Sequence, residues 1–503
     1  MFNNALLMAA ASAAASVPGR YVVDYSCRFN DDDSARLTRT NSGTPTDASK
    51  GVVGFWLKRA NLGIATTLFD SASQAYDMAF QAADNIYSVD HAANLFVTQQ
   101  LFRDPSAWYH VVLSYDSDQE AEDDRNLLYI NGKRVTDFST YAFSATSLAE
   151  AWGLTADSTA QYIGSSNSGL RYWDGYLSQY FLIDGTSIQN GDYSISSFGE
   201  FNNNVWRPIN LTGLTFGTNG YLLDFADSSA LGNDVSGNDN DWSTTNLAAN
   251  DRVTDTPTNN FATLSSIDFS NNNEPTLGGV VVLSDGGLNL SWGSTNQGSA
   301  RSTIGMTSGK YYTEVTYNDS ATSSFSCGVV IDTDPLQQWP VADNEGRVHY
   351  DASGVIHLDG SNSEETGLAT YTTGDVIGMQ VDMDASPKTI EFFKNGSSVV
   401  SKNLNTSFDT WFFSIFVGSA TRDGNINFGQ HSFAHTPETG FKSLCTDNLP
   451  EPTIKNSKKY FDAILYEGNG DAQKVGQFQP ITETYSVGNS ALFNLADSCK
   501  LTR

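Results

Sequence analysis

Two stretches of the chain alternate or run apolar positions and then break at an Asn-Gly pair. The first covers residues 108–115 and 127–130 and ends at Asn131-Gly132; the second covers 375–382 and 389–394 and ends at Asn395-Gly396. A repeat of two is that of a strand with one buried face. Asn-Gly is the pair that closes a two-residue hairpin, because both of its residues accept positive φ. Each half of the chain is therefore expected to hold a twisted antiparallel sheet.

Further strands are expected around each pair. Residues 51–58, 66–69, 94–99, 161–164 and 175–183 extend the first series, and 220–225 closes it. In the second half the series is 279–283, 310–317, 327–332, 411–417 and 425–428, and Pro437, Pro450 and Pro452 mark its exit. Short strands at this spacing bury themselves by stacking one sheet on another. The expected fold is all-β: two antiparallel β-sandwiches with a short N-terminal helix or arm. The divisions are an arm over 1–19, a sandwich over 20–228, a polar connecting segment over 229–275, a second sandwich over 276–452 and a strand-rich appendage over 453–503. The connecting segment is either a linker or a surface excursion that packs through Trp242 and Phe261.

Composition agrees with this. The 503 residues are 39% hydrophobic and 12% aromatic, rich in Gly and poor in Lys and Arg. That balance favours strands and turns over long helices. A formal charge of -29 argues against nucleic acid, which needs a basic stripe, and against docking on an anionic membrane. Cys27, Cys327, Cys445 and Cys499 lie far apart, so free buried thiols are expected. Six histidines without metal spacing give no zinc site. Residues 1–17 are apolar and Ala-rich but lack the positive start of a secretory signal and the length of a membrane span. They read either as an attachment peptide, with Phe2, Leu6, Leu7 and Met8 as its contact residues, or as a disordered end.

Particular residues then carry a resemblance. Phe29 to Ser34, Phe55 to Arg59, Trp108 to Val111 and Leu128 to Gly132 resemble a concanavalin A-like sandwich of the laminin G type found in virion proteins of tailed bacteriophages. Gly309 to Val315, Gly374 to Gly378 and Phe392 to Gly396 are similar to a SPRY sandwich. The stretches 255–264 and 440–452 resemble the segments that follow these modules in the same phage group. The resemblance implies a tail fibre, spike or capsid decoration protein in the virion. Its partners would be other virion proteins, with a host-surface glycan as ligand and a homo-oligomer, often a trimer, as assembly.

No strand carries the paired carboxylates of a glycosidase, so no enzyme is expected; a tail polysaccharide depolymerase and a ligand-free capsid-stabilising protein are the alternatives. Glu120, Glu122, Asp123 and Asp124 read as a solvated loop, and Asp382 and Asp384 likewise. No cofactor is expected; calcium is the one candidate ion, at Asp234, Asp239 and Asp241, where the other reading is self-capping of turns. Tyr172, Trp173 and Asp174 in a Gly-flanked turn, and Trp339 in the second half, are the glycan candidates; Trp56, Trp108 and Trp411 read as core. Residues 493–503 repeat residues 29–39 at seven of eleven positions. Residues 458–503 are expected to form an appendage engaged with another module or protein, not a third domain.

Overall fold

Both Asn-Gly pairs close hairpins. Asn131 and Gly132 have φ of 48° and 73°, and Asn395 and Gly396 have 49° and 77°, the left-handed pair that matches strand twist. They belong to a computed structural model that describes residues 20–71, 76–90, 93–142, 146–269, 281–292, 298–321, 324–334, 336, 346–358, 365–418 and 422–451. The attachment arm with Phe2, Leu6, Leu7 and Met8 lies outside the described residues. So do Trp339, Cys499 and the expected appendage.

The fold is all-β, and its first part is a sandwich of two eight-stranded sheets. One sheet runs Lys133–Arg134, Asn126–Ile130, Trp108–Asp116, Lys50–Arg59, Gly175–Asp184, Ser26–Phe29, Arg252–Val253, with Tyr221–Leu223 also paired to Gly175–Asp184. The other runs Phe138–Tyr141, Ala93–Leu101, Asn85–Asp90, Tyr76–Phe80, Thr66–Ser71, Ala160–Ile163, Arg36–Thr40, Ser243–Thr245. Inward side chains of both meet in one core, where Phe55 stacks on Tyr180 at 4.8 Å. Ser26–Phe29 and Arg36–Thr40 lie in opposite sheets, so residues 30–35 cross the sandwich end rather than close a hairpin.

The second sandwich has a six-stranded sheet: Leu264–Phe269, Gly298–Ser302, Trp411–Val417, Phe325–Ile331, Arg347–Asp351, Ile356–Leu358. Its facing seven-stranded sheet is Val281–Ser284, Asn289–Trp292, Arg422–Asn427, Lys310–Tyr317, Val376–Asp382, Thr389–Lys394, Ser397–Asn403. Trp411, Phe413 and Ile415 meet Tyr311, Val315 and Met379 between them. Over its described residues, 229–269, the expected connecting segment is not a separate linker. Ser243–Thr245 and Arg252–Val253 add strands to the first sandwich, Leu264–Phe269 adds one to the second, and Trp242 and Phe261 are buried. Backbone amides in so long a polar stretch need partners, and the sheet edges supply them.

Candidate functional site

The joint between the sandwiches is built from buried charge. Lys58 and Asp255 are both fully buried and pair at 2.7 Å. The Lys58 ammonium also donates to Asn260 Oδ1 and to the Phe261 carbonyl, and the Trp108 indole donates to Asp255 Oδ1. Burial pushes the lysine down and the aspartate up, each against the pull of the other. The segment that carries Asp255 is thereby pinned to the first sandwich. The same segment bonds to the second at both ends: the Thr254 amide, beside Asp255, donates to the Gln430 carbonyl, and Phe261 is bridged to Cys445.

A second tie is the turn after Val281–Ser284. Asp285 and Gly286 have φ of 60° and 70°, which turns the Gly286 amide into the first sandwich. That amide donates to Asp174 Oδ1 at 2.8 Å, and its carbonyl accepts from the Tyr176 hydroxyl at 2.8 Å. A β-carbon on Gly286 would lie 2.7 Å from that hydroxyl oxygen. Arg28 donates to Asp285 and to Asp251, each at 2.9 Å, and is itself buried.

Beside this turn a cleft of about 950 Å³ opens between the two sandwiches. The first sandwich lines it with Asn30, Asp32, Asp33, residues 246–248, Asn250 and Asp251; the second with Asp285, Asn289, Asp423 and Asn425. Its donors are largely spent inside the protein. Asn246 donates to the Asp33 carbonyl, Asn289 to Asp423, Asn425 to Asp285, and Arg28 to two carboxylates. The same bonds occupy both Asp251 oxygens, the Asn425 amide oxygen and one oxygen each of Asp285 and Asp423, so the second carboxylate oxygens of Asp285 and Asp423 are the acceptors left to a ligand that donates hydrogen bonds.

The glycan candidates of the sequence fall elsewhere. Trp173 is 1% exposed and stacks on Phe80 at 5.9 Å, so no sugar can lie on its indole. Asp174 is buried too, and accepts from Asn61 and Gly286. Burial and the neighbouring Asp31 push its carboxyl well above the usual range. These two residues build the core and the joint, and only Tyr172 remains half-buried. Trp56 and Trp411 are core, and Trp108 is a half-buried joint residue.

The calcium candidates also act otherwise. Asp234 accepts from the Leu222, Ser236 and Asn240 amides and the Ser236 hydroxyl, while Asp241 accepts from the Asp234 amide. With its oxygens engaged in this way, Asp234 does not converge with Asp239 and Asp241. No group of three His, Cys, Asp or Glu side chains that could hold a metal occurs among the described residues. Glu120, Glu122 and Asp123 are exposed. Cys27, Cys327 and Cys445 are free and buried.

Sequence reasoning missed Arg28, Asp251, Asp285 and Asn425. The signal was Asp285-Gly286-Gly287, a left-handed turn at the exit of a strand, but its partners lie more than 100 residues away.

Comparison with known proteins follows these divisions. Residues 30–183 match the concanavalin A-like lectin/glucanases superfamily model of laminin G type, and residues 310–431 match the SPRY domain. No curated protein matches. Among solved structures, the SPRY domain of human HERC1 is 20% identical, with 32% of this chain and 96% of that one covered and a TM-score of 0.27. A human SPRY domain is 22% identical, covering 31% of this chain and 99% of that one, at 0.26. The TRIM65 PSpry domain is 11% identical, covering 33% and 92%, also at 0.26. The chain thus carries a laminin G-type, concanavalin A-like sandwich followed by a SPRY sandwich.

Proposed function

We propose that this chain is a non-catalytic component of a tailed-bacteriophage virion, a fibre, spike or decoration protein, whose joined sandwiches recognise a host-surface glycan in the cleft between them. Both domain types are ones that bind ligands or proteins, and the phage assignment rests on the motifs quoted above. The observation that carries the binding reading is the cleft: both sandwiches line it, its carboxylates and amides are held in place by neighbours, and it presents acceptors to a hydroxyl-rich ligand. Its acids serve as fixed acceptors for Arg28 and Asn side chains rather than standing apart as an acid and a nucleophile.

Glycan-array binding of the full chain tests the reading. Binding that is lost in Asn425→Ala and Asp423→Ala with an unchanged melting temperature supports it. Retained binding in both variants removes the cleft from the proposal, and release of reducing ends from host polysaccharide would replace it with the depolymerase. Attachment is tested by removing residues 2–17, which is expected to abolish incorporation into particles. Normal incorporation of the shortened chain would exclude that role.

A further inference from the structure

The side chains that pin residues 253–263 to the first sandwich are also arranged for a covalent reaction. Lys58 lies on the central strand Lys50–Arg59, and its side chain is fully buried. Its ammonium spends its three protons on Asp255 Oδ2 at 2.7 Å, Asn260 Oδ1 at 2.7 Å and the Phe261 carbonyl at 2.8 Å. The Tyr176 ring stands 5.6 Å from the same nitrogen. Asp255 keeps its other oxygen on the Trp108 indole and the Phe261 amide. Asn260 is fixed as well: its carboxamide nitrogen donates to the Ser106 carbonyl at 2.7 Å, and its backbone amide donates to Thr446 Oγ1. Asn260 Cγ, one C=O bond of ~1.2 Å beyond the oxygen, therefore lies within ~3.9 Å of Lys58 Nζ. A near-attack geometry needs ~3–3.5 Å, a small further approach.

An amine attacks only as the free base, and a carboxamide gives up its nitrogen only when that nitrogen is protonated. The buried pair meets both needs. Burial favours the neutral forms of Lys58 and Asp255, and a proton passing from Nζ to Oδ2 leaves the net charge of the pair unchanged.

We propose that Lys58 and Asn260 join in an isopeptide bond, formed by the folded chain itself with Asp255 as the proton carrier. Once Asp255 holds the proton, rotation about Cε–Nζ turns the lone pair onto Asn260 Cγ and the Nζ–Cγ bond forms. Asp255 hands its proton to the departing Nδ2 and takes one from Nζ, and the Cγ–Nδ2 bond breaks with release of one ammonia. Lys58 becomes a neutral amide and Asp255 a neutral acid, so the desolvation cost of a buried ion pair disappears. Asn260 is half-buried, which leaves ammonia a way out to solvent. The second sandwich holds the same three residue types in Lys394, Asp375 and Asn395. There Lys394 is partly exposed and donates to Asp375 and the Thr370 carbonyl. That ammonium meets water, and no bond is expected there.

The test is the intact mass of the full chain, followed by tryptic mapping. The parent is expected to weigh about 17 Da less than its sequence, the mass of one ammonia. It is also expected to give a branched peptide joining residues 51–59 to 253–301. Asn260→Ala and Asp255→Asn are each expected at full sequence mass, with no branched peptide. Circular dichroism shows which variants fold, and Asn260→Ala keeps the Lys58–Asp255 pair if Asp255→Asn does not. A parent at full sequence mass overturns the inference. So does a lighter parent without the branched peptide, as a succinimide at an Asn-Gly pair would give. A branched peptide in folded Asp255→Asn overturns it too.

Discussion

His110 lies fully buried on strand Trp108–Asp116, stacked on Trp56 at 4.6 Å, and its Nδ1 accepts from the Trp206 indole at 2.9 Å. Burial pushes it down to about 3. Its folded value lies below the unfolded value of about 6.5. The stability it contributes is therefore present above pH 6.5 and is lost as pH falls from there toward 3, because the unfolded chain takes up the proton first. His110→Gln, which keeps an acceptor for Trp206, is expected to flatten that part of the acid slope; urea unfolding of both proteins between pH 4 and 7 measures the difference. Lys58 gives a second residue-scale prediction. Lys58→Met leaves Asp255 buried and unpaired, at a cost of about 3–5 kcal/mol. Adding Asp255→Leu is expected to recover much of that loss, and chemical denaturation of the single and double variants shows whether it does.

At the scale of elements, the turn at residues 284–288 is the most exposed to a single change. Gly286→Ala combines a left-handed backbone with a contact to the Tyr176 ring and is expected to destabilise by ~1–3 kcal/mol. Exchange of the Gly286 amide hydrogen, protected by Asp174 in the parent, should become fast. Elements were legible where apolar residues alternate or run, as in Lys50–Arg59, Gly175–Asp184 and Trp411–Val417, and where Asn-Gly fixes a hairpin. They were not legible where polar residues are buried. Strand Arg347–Asp351 is buried throughout despite carrying Arg, His and Asp, and Arg347 finds its partner in Asp334. Ser397–Asn403 is polar because it is an exposed edge. Tyr76–Phe80 has an Asp at its second position because that side chain faces outward. Trp173 misled for the opposite reason: its turn looks like a surface loop, and only the fold brings Phe80 beneath it. The cleft was invisible because its walls come from Asn30, Asp251, Asp285 and Asn425, which meet only through tertiary contacts.

At the scale of the whole molecule, the two sandwiches are joined by ties that do not follow the chain. Calorimetry is expected to show one transition for both, since opening the joint exposes the Lys58–Asp255 pair and unseats Gly286. Arg28→Ala combined with Gly286→Ala should separate that transition into two, while a single transition in the double variant would show that the 253–263 segment couples the sandwiches alone. The same arrangement governs how the protein answers a pull. Thr254 holds Gln430, Phe261 is bridged to Cys445, and Arg28 grips Asp285, so tension entering one sandwich is shared among several bonds at once. Such a joint resists bending as a stiff bracket does, and it would hand a tug on either sandwich to the other before the hinge between them could swing.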